Sequence, residues 1–569
     1  MSAADLRRAA AGTLLASFPG DVVPDWVKRR VDGGLGAICL YGSNRGADVA
    51  AVAALLHDRR ADVVVAIDEE GGDVTRLEAG TGSSVPGNAA LGAVDDVELT
   101  RSVAAALGGV LRSVGVDLDL APCADVNSEP TNPVIGVRSF GADPDLAARH
   151  TAAFVAGLQA AGVAACAKHF PGHGAVAVDS HLDLPTVAAP IEVLRARELV
   201  PFGAAVGAGV AAVMPGHLLV PALDPTAPAT VSRRMVTDLL RDEMGFDGLV
   251  VTDALDMGGI GGPPAIPASV VRALAAGADL CCLGPDNDQS LVDACVDAVV
   301  AAVAAGTLAA ERVVEAAARV AALRATAAPG VAPELVPGRD PGRLASVSGT
   351  TAGERRQIPG DEVRPGTHAA APAAGTPVAA LTAVGAEAAS RALRVAGSIP
   401  GPVRGAHVVE LDRPANIAAG AVPWGVAAPL ARLDPTMTAT RVAEGDDVGA
   451  SAALTAAAGR HLVVVVRDPQ RRPAQAATLR TLLVARPDTI VVDMGWPADP
   501  LTQQPVAARI TTYGASRASG RAAARLLSGA DEPAPPATPV PPATPATPAT
   551  PATPATPATP ATQGRTLRG

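Results

Sequence analysis

The chain is 569 residues long, with 49% hydrophobic but only 2% aromatic residues and a formal net charge of −11. That length exceeds one ordinary domain, so two folded units with linkers are expected. A pI near 5.4 excludes a general nucleic-acid binder, which needs a basic face.

The chain opens "MSAADLRRAAAGTLLASFPGDVV", whose short apolar run reads as a strand rather than a signal peptide. Eight candidate strands follow one another: "GTLLASF" (12–18), "LGAICLYG" (35–42), "VVVAID" (63–68), "VDLDLAP" (116–122), "VAACAKHF" (163–170), "VAAVMPGH" (210–217), "GLVVTD" (248–253) and "ADLCCLG" (278–284). Helical segments rich in alanine, leucine and arginine separate most of them. Eight strand–helix units over about 300 residues predict an α/β fold, a (β/α)8 TIM-like barrel. A doubly wound sheet is the alternative. The apolar stretch 200–223 is interrupted by Pro201, Pro215, Pro221 and His217, which argues against a spanning helix. The protein is therefore expected to be soluble and cytoplasmic, with no membrane partner. The six cysteines lie mostly in apolar runs without zinc-type spacing, and read as reduced, buried small residues.

Residues 1–332 are read as the catalytic barrel and 333–378 as an irregular linker. Over 379–530, "AHVVEL", "HLVVVVRD" and "TIVVDMG" predict buried parallel strands. "PAQAATLRTLLVARP" and "ASRASGRAAARLLSG" supply crossover helices. A smaller α/β sandwich is expected there. Residues 531–569 carry a Pro-Ala-Thr repeat, which predicts an extended, core-free tail.

Asp68, Lys168, His169, His217 and Asp253 fall at or near the C-terminal ends of proposed strands, and Asp179 and His181 follow the fifth. In a parallel barrel those ends share one face, where active sites form. The densest stretch is "KHFPGHGAVAVDSH", 168–181. Asp179 at i and His181 at i+2 suit an acid/base dyad in which the carboxylate orients the imidazole. A metal site through His169, His173 and His181, or a structural loop, are the other readings; no cysteine partner or helical H-x-x-x-H supports the metal. In "GFDGLVVTDALDM", Asp253 ends a strand where it can serve as nucleophile or cap the next element. Asp256 is expected to help start a helix. A nucleophilic carboxylate facing an acid/base group is the layout of a retaining glycosidase.

Taken together, "KHFPGHG" with "DSH", "VVTDALDM", "AIDEEGGDVTRL" and "NPVIGVRSFG" resemble glycoside hydrolase family 3, in its bacterial β-N-acetylglucosaminidase branch. The resemblance is strong over residues 1 to 325 and weaker over 379–530. It implies Asp253 as nucleophile, His181 as general acid/base and Asp179 as its partner. It also implies that Asp68, Arg76, Arg138, Lys168 and His169 hold the sugar, with no metal and no cofactor. The chain departs from the family at Ala175 and Val176, where Asp-Thr is usual, and at Pro215 and Gly216. His173 and His217 are expected to be supporting groups. The implied reaction is two-step hydrolysis of terminal β-linked N-acetylglucosamine through a covalent glycosyl-enzyme. Cell-wall muropeptides in recycling are the implied substrates. A neutral histidine does not repel phosphate, so a β-N-acetylglucosaminide phosphorylase with the same Asp and His is the alternative. A non-catalytic sugar receptor would not need the nucleophile.

Overall fold

Eight short strands make one all-parallel sheet in the computed structural model, which describes residues 1–44, 48–178, 183–326, 375–412, 418–497 and 505–530. They are β1 (Leu14–Ala16), β2 (Ala37–Leu40), β3 (Val64–Ile67), β4 (Leu118–Asp119), β5 (Ala164–Phe170), β6 (Ala212–Pro215), β7 (Leu249–Val250) and β8 (Cys281–Cys282). Each falls inside its expected run. Neighbours pair in chain order, β1 also pairs β8, and a parallel bridge between Val251 and Leu280 joins β7 to β8. The sheet thereby closes into a TIM-like barrel.

The two-residue period of a strand explains the packing. Leu15, Ala37, Cys39, Val64, Ala66, Leu118, Ala164, Cys166, Ala212, Met214 and Leu249 point inward as one cluster. Their neighbours Leu14, Ala16, Ile38, Leu40, Val65, Ile67 and Val213 point outward against the helices. Small inward side chains suit the narrow interior of an eight-stranded barrel, which is a packed core rather than a pore. All six cysteines are free and buried. The helices begin at local signals: Asp96 accepts from Glu98 and Leu99 N–H, and Asp143 accepts from Leu146 N–H ahead of Pro144. No helix among the described residues is long and apolar enough to cross a membrane.

A second sheet contains β9 (Arg394–Gly397), β10 (His407–Leu411), β11 (Thr438–Val442), β12 (Leu462–Val466), β13 (Ile490–Asp493) and β14 (Ala508–Thr511), in the order β11-β10-β12-β13-β14-β9. Only β9 is antiparallel. Val408, Val463, Val465, Val492 and Ile510 pack on one face with the helices at 377–392, 427–433 and 517–528. Val409, Val464, Val466 and Val491 pack on the other with those at 447–456 and 473–485. The result is a three-layer α/β sandwich. Pro377–Ala392 begins inside the stretch read as linker, with Thr376 as its N-cap. It turns Leu381 and Ala388 to the barrel core and Ala389 to the second sheet. The described residues fall within one compact unit. The rest of the expected linker and the repeat tail at 531–569 lie outside the described residues.

Candidate active site

The stretch Asp68–Glu69–Glu70–Gly71–Gly72 follows β3, and both glycines take positive φ, 78° and 63°. A Cβ on Gly72 would stand 2.6 Å from the Gly87 Cα, so this turn needs a glycine. The tight turn folds the loop back on itself. Glu69 consequently faces the protein, and its Oε2 accepts from the N–H groups of Arg76 and Leu77 at 2.7 and 2.9 Å. Burial pushes its pKa up to about 7.

Glu70 faces the barrel axis. Arg138 grips it with Nε and Nη2 at 2.9 and 2.7 Å, and Lys168 Nζ lies 2.8 Å away. Burial opposes its charge, but these two cations hold the carboxyl well below the usual carboxylate range. Burial likewise works against Lys168 and Arg138, and the carboxylates outweigh it and raise both. Lys168 also donates to Asp68 at 2.6 Å, and Arg76 stands 3.8 Å from that carboxylate. Asp68 is the accessible member of the trio, 17% exposed against 2% for Glu70. Of the three carboxylates, it is the one best placed to meet a sugar hydroxyl.

Lys168 and His169 end β5. His169 Nδ1 bonds Asp125 Oδ2 at 2.8 Å, and the backbone N–H groups of His169 and His173 donate to Asp125 Oδ1. Asp125 therefore fixes the imidazole of His169, which lines the cleft. Burial raises the Asp125 pKa, but the charge of His169 and these donors lower it on balance. His173 is buried, and burial brings its pKa down to about 4. Cys123, Asp125 and His169 bring a thiol, a carboxylate and an imidazole within 4.8 Å. Burial pushes the Cys123 thiol far up, and it donates to Asp125 at 3.1 Å. The donor set fits a hydrogen-bonded trio better than a thiolate metal site.

Asp253 follows β7, and its Oδ1 accepts from the Ala254 N–H at 2.8 Å. Behind it, His217 bonds the Ala254 carbonyl oxygen and the Thr230 hydroxyl, each at 2.8 Å. His217 thus supports the β7 loop from a fully buried position. Asp256 does not start a helix: the next turn, Gly258–Ile260, has Met257 at its N-cap and no side-chain cap. Its carboxylate packs against Gly284, where a Cβ would lie 2.2 Å from Oδ1, and it lines the cleft.

A cleft of about 870 Å3 opens to solvent at the C-terminal mouth of the barrel, with Glu69, Cys123, Asp125 and His217 behind its wall. Asp68, Arg76, Arg138, Lys168, His169 and Asp253 all line it. Asp179 and His181 lie outside the described residues. The sequence reading missed Asp125, the paired state of Glu70, and the wall residues Tyr41 and Asp256. It also missed Ala418, brought in after β10 and held by Arg76, which donates to the Ala418 and Ala419 carbonyls at 2.8 and 3.3 Å. Asp125 follows β4 and obeys the same strand-end rule as Asp68, five residues into an irregular stretch.

A closed parallel barrel whose mouth gathers carboxylates, a lysine, arginines and a histidine around an open cleft is the frame of a sugar-cleaving enzyme. Residues 27–323 match the glycosyl hydrolase family 3 N-terminal domain. The chain belongs to that family and is a glycoside hydrolase. It is 42% identical over 212 residues to a β-hexosaminidase A of Pseudoalteromonas piscicida, a match covering 34% of this chain and 35% of that one. It is 37% identical over 280 residues to a β-hexosaminidase of Thiobacillus denitrificans, covering 47% of this chain and 77% of the relative. A solved family 3 β-N-acetylglucosaminidase from Paenibacillus sp. str. FPU-7 superposes with a TM-score of 0.78 at 30% identity, covering 93% of this chain and 97% of that one.

Proposed function

We propose that the protein is a retaining β-N-acetylhexosaminidase that removes terminal β-linked N-acetylglucosamine. The observation that carries this reading is the meeting of Asp253 with Asp68, Arg138, Lys168 and His169 in one cleft. Across the mouth from Asp253, the charged cluster offers donors and acceptors for ring hydroxyls and an acetamido group, which orients the anomeric carbon toward Asp253. In the first step Asp253 attacks that carbon while protonated His181, aligned by Asp179, donates its proton to the leaving oxygen. In the second, neutral His181 takes a proton from water, and the water cleaves the glycosyl ester, releasing Asp253 with net retention. No step calls for a metal or an organic cofactor.

Residues 1–332 carry this chemistry in our reading, with 379–530 as an accessory unit joined by 333–378 and followed by the 531–569 tail. The names of the similar β-hexosaminidases support the substrate class. Muropeptides carrying terminal N-acetylglucosamine, met in the cytoplasm during cell-wall recycling, are the natural substrate we put forward.

The test is release of p-nitrophenol from p-nitrophenyl N-acetyl-β-glucosaminide, with sugar products identified in the presence and absence of phosphate. Free N-acetylglucosamine in both conditions is expected. A phosphate-dependent sugar 1-phosphate would instead identify a phosphorylase. Asp253→Ala and His181→Ala should each lower kcat by at least about a hundredfold. Near-native turnover in either variant overturns its assigned role.

A further inference from the structure

The second sheet has a feature that sugar hydrolysis leaves unused. Its strand order places β10 between β11 and β12, so the chain leaves β10 toward one side and returns at β12 on the other. Outside the carboxyl ends of two such strands lies the crevice where open parallel sheets bind ligands. Here that crevice abuts the barrel mouth. A small crevice there is lined by Arg467, Asp468 and Arg471 after β12, Ala419 after β10, and Asp73, Val134 and Arg138 from the barrel. It shares Val74, Val134 and Arg138 with the catalytic cleft and shares nothing with the Asp253 side.

Arg467 and Arg471 line this cavity with Asp73 and Asp468, and the third guanidinium, Arg138, is already held by Glu70. Arg467 pairs with Asp73, which also accepts from the Ala515 N–H at 2.9 Å. Arg471 donates to the Pro130 carbonyl at 3.3 Å and stands 4.0 Å from Asp468, whose Oδ1 takes the Trp496 N–H. Among the described residues, the Nε–H groups of both Arg467 and Arg471 are buried without a hydrogen-bond partner. Arg467 is 9% exposed. A buried guanidinium whose donors are unfilled is costly unless a ligand supplies acceptors, and a planar oxyanion matches the arginine fork.

We propose that Arg467 and Arg471, beside Arg138, form a subsite for an oxyanion carried on the glycone, at a ring position remote from the anomeric carbon. This deepens the reading of the site as a β-N-acetylhexosaminidase and rests on it. The side follows from the lining: the anomeric carbon belongs at Asp253, whereas the arginine cavity adjoins the cleft at Val74, Val134 and Arg138 and does not include Asp253. The oxyanion is a phosphate ester or a carboxylate, and two substrates separate them: p-nitrophenyl N-acetyl-β-glucosaminide 6-phosphate and p-nitrophenyl N-acetyl-β-muramide, whose lactyl ether bears a carboxylate.

The full chain is assayed for kcat/KM on both, against the neutral p-nitrophenyl N-acetyl-β-glucosaminide. The expected result is at least one anionic glycoside cleaved with kcat/KM no lower than the neutral one. That preference falls about tenfold or more in Arg471→Met and is partly kept in Arg471→Lys. A second measurement uses the unaltered protein: N-acetylglucosamine 6-phosphate or N-acetylmuramic acid should inhibit neutral turnover at least tenfold more tightly than N-acetylglucosamine. Neutral turnover with both anionic glycosides rejected and no tighter inhibition overturns the subsite and leaves the hydrolase standing. Parallel losses on neutral and anionic substrates in Arg471→Met overturn it as well. Failure to cleave any of the three, with no inhibition to measure, overturns the hexosaminidase reading and the subsite that rests on it.

Discussion

Asp68, Glu69 and Glu70 are consecutive, yet their settings differ: Asp68 reaches the open cleft beside Lys168, Glu69 takes two backbone N–H groups, and Glu70 sits between the buried Lys168 and Arg138. Glu70 is the one whose loss is most costly. It is shared by Arg138 and Lys168, both almost fully buried, so removing its charge leaves two cations with only Asp68 close at hand. Breaking one partner out of a buried ion cluster destabilises by about 3–5 kcal/mol, because the remaining charge stays desolvated. Glu70→Gln is therefore expected to lower the free energy of unfolding, measured in urea, by an amount in that range, and to weaken sugar binding as Arg138 and Lys168 lose their alignment. An unchanged free energy would mean that water already compensates the cluster. From sequence, the trio was legible as a carboxylate-rich strand end, but its division of labour was not. That division depends on the left-handed turn at Gly71 and Gly72, which sends adjacent side chains to different environments. Asp125 was not legible for a related reason: one carboxylate in an irregular stretch has no periodicity to mark it, and its partners lie more than forty residues away at His169 and His173.

At the scale of elements, the β3 and β5 loops respond to pH in opposite senses. Glu69 has a folded pKa near 7, above its ordinary 4.5. Between those values the folded chain holds a proton that the unfolded chain has released, so this group makes stability fall as pH rises. His173 has a folded pKa near 4, below its ordinary 6.5. Between 4 and 6.5 the unfolded chain binds the extra proton, so this group makes stability fall as pH drops. The two contributions oppose each other over nearly the same window. In Glu69→Gln the amide oxygen still accepts from the Arg76 and Leu77 N–H groups. Its stability relative to the native chain should therefore improve progressively from pH 4.5 to pH 7, measured by urea unfolding at several pH values. A pH-independent difference would show that Glu69 ionises normally in the fold. The strands carrying these loops were legible because buried parallel strands read as short runs of valine, isoleucine and alanine. Strands β9 and β11 were missed because each lies at an edge of the second sheet and exposes much of its surface: Thr438–Val442 has a single buried residue. Strand β14, with alternate residues half-buried, is too short to show its period.

For the whole molecule, the question is why a barrel with a complete cleft carries a second sheet. Several polar contacts between them fall on the β3 loop. Asp73 takes Arg467 and the Ala515 N–H, Glu78 takes Arg517, and Arg76 reaches the Ala418 and Ala419 carbonyls. Asp68 and Glu70 stand on that same loop, a few residues before Asp73. These polar anchors stand beside an apolar one: the helix Pro377–Ala392 sends Leu381 and Ala388 into the barrel core and Ala389 into the core of the second sheet. In the proposed hydrolysis the second sheet acts through positioning: holding Asp73 and Arg76 holds the loop that carries Asp68 and Glu70. Asp73→Ala removes the anchor and leaves Arg467 buried without its counter-ion. The expected outcome is a KM for p-nitrophenyl N-acetyl-β-glucosaminide raised roughly tenfold with a smaller change in kcat, since displaced binding groups cost orientation while Asp253 stays in place. Calorimetry of the same variant should resolve two unfolding transitions where one is expected of the native chain, because the weakened seam no longer forces two apolar cores to melt together. An unchanged KM together with a single transition would mean that the helix Pro377–Ala392, which packs on both cores, carries the coupling without Asp73.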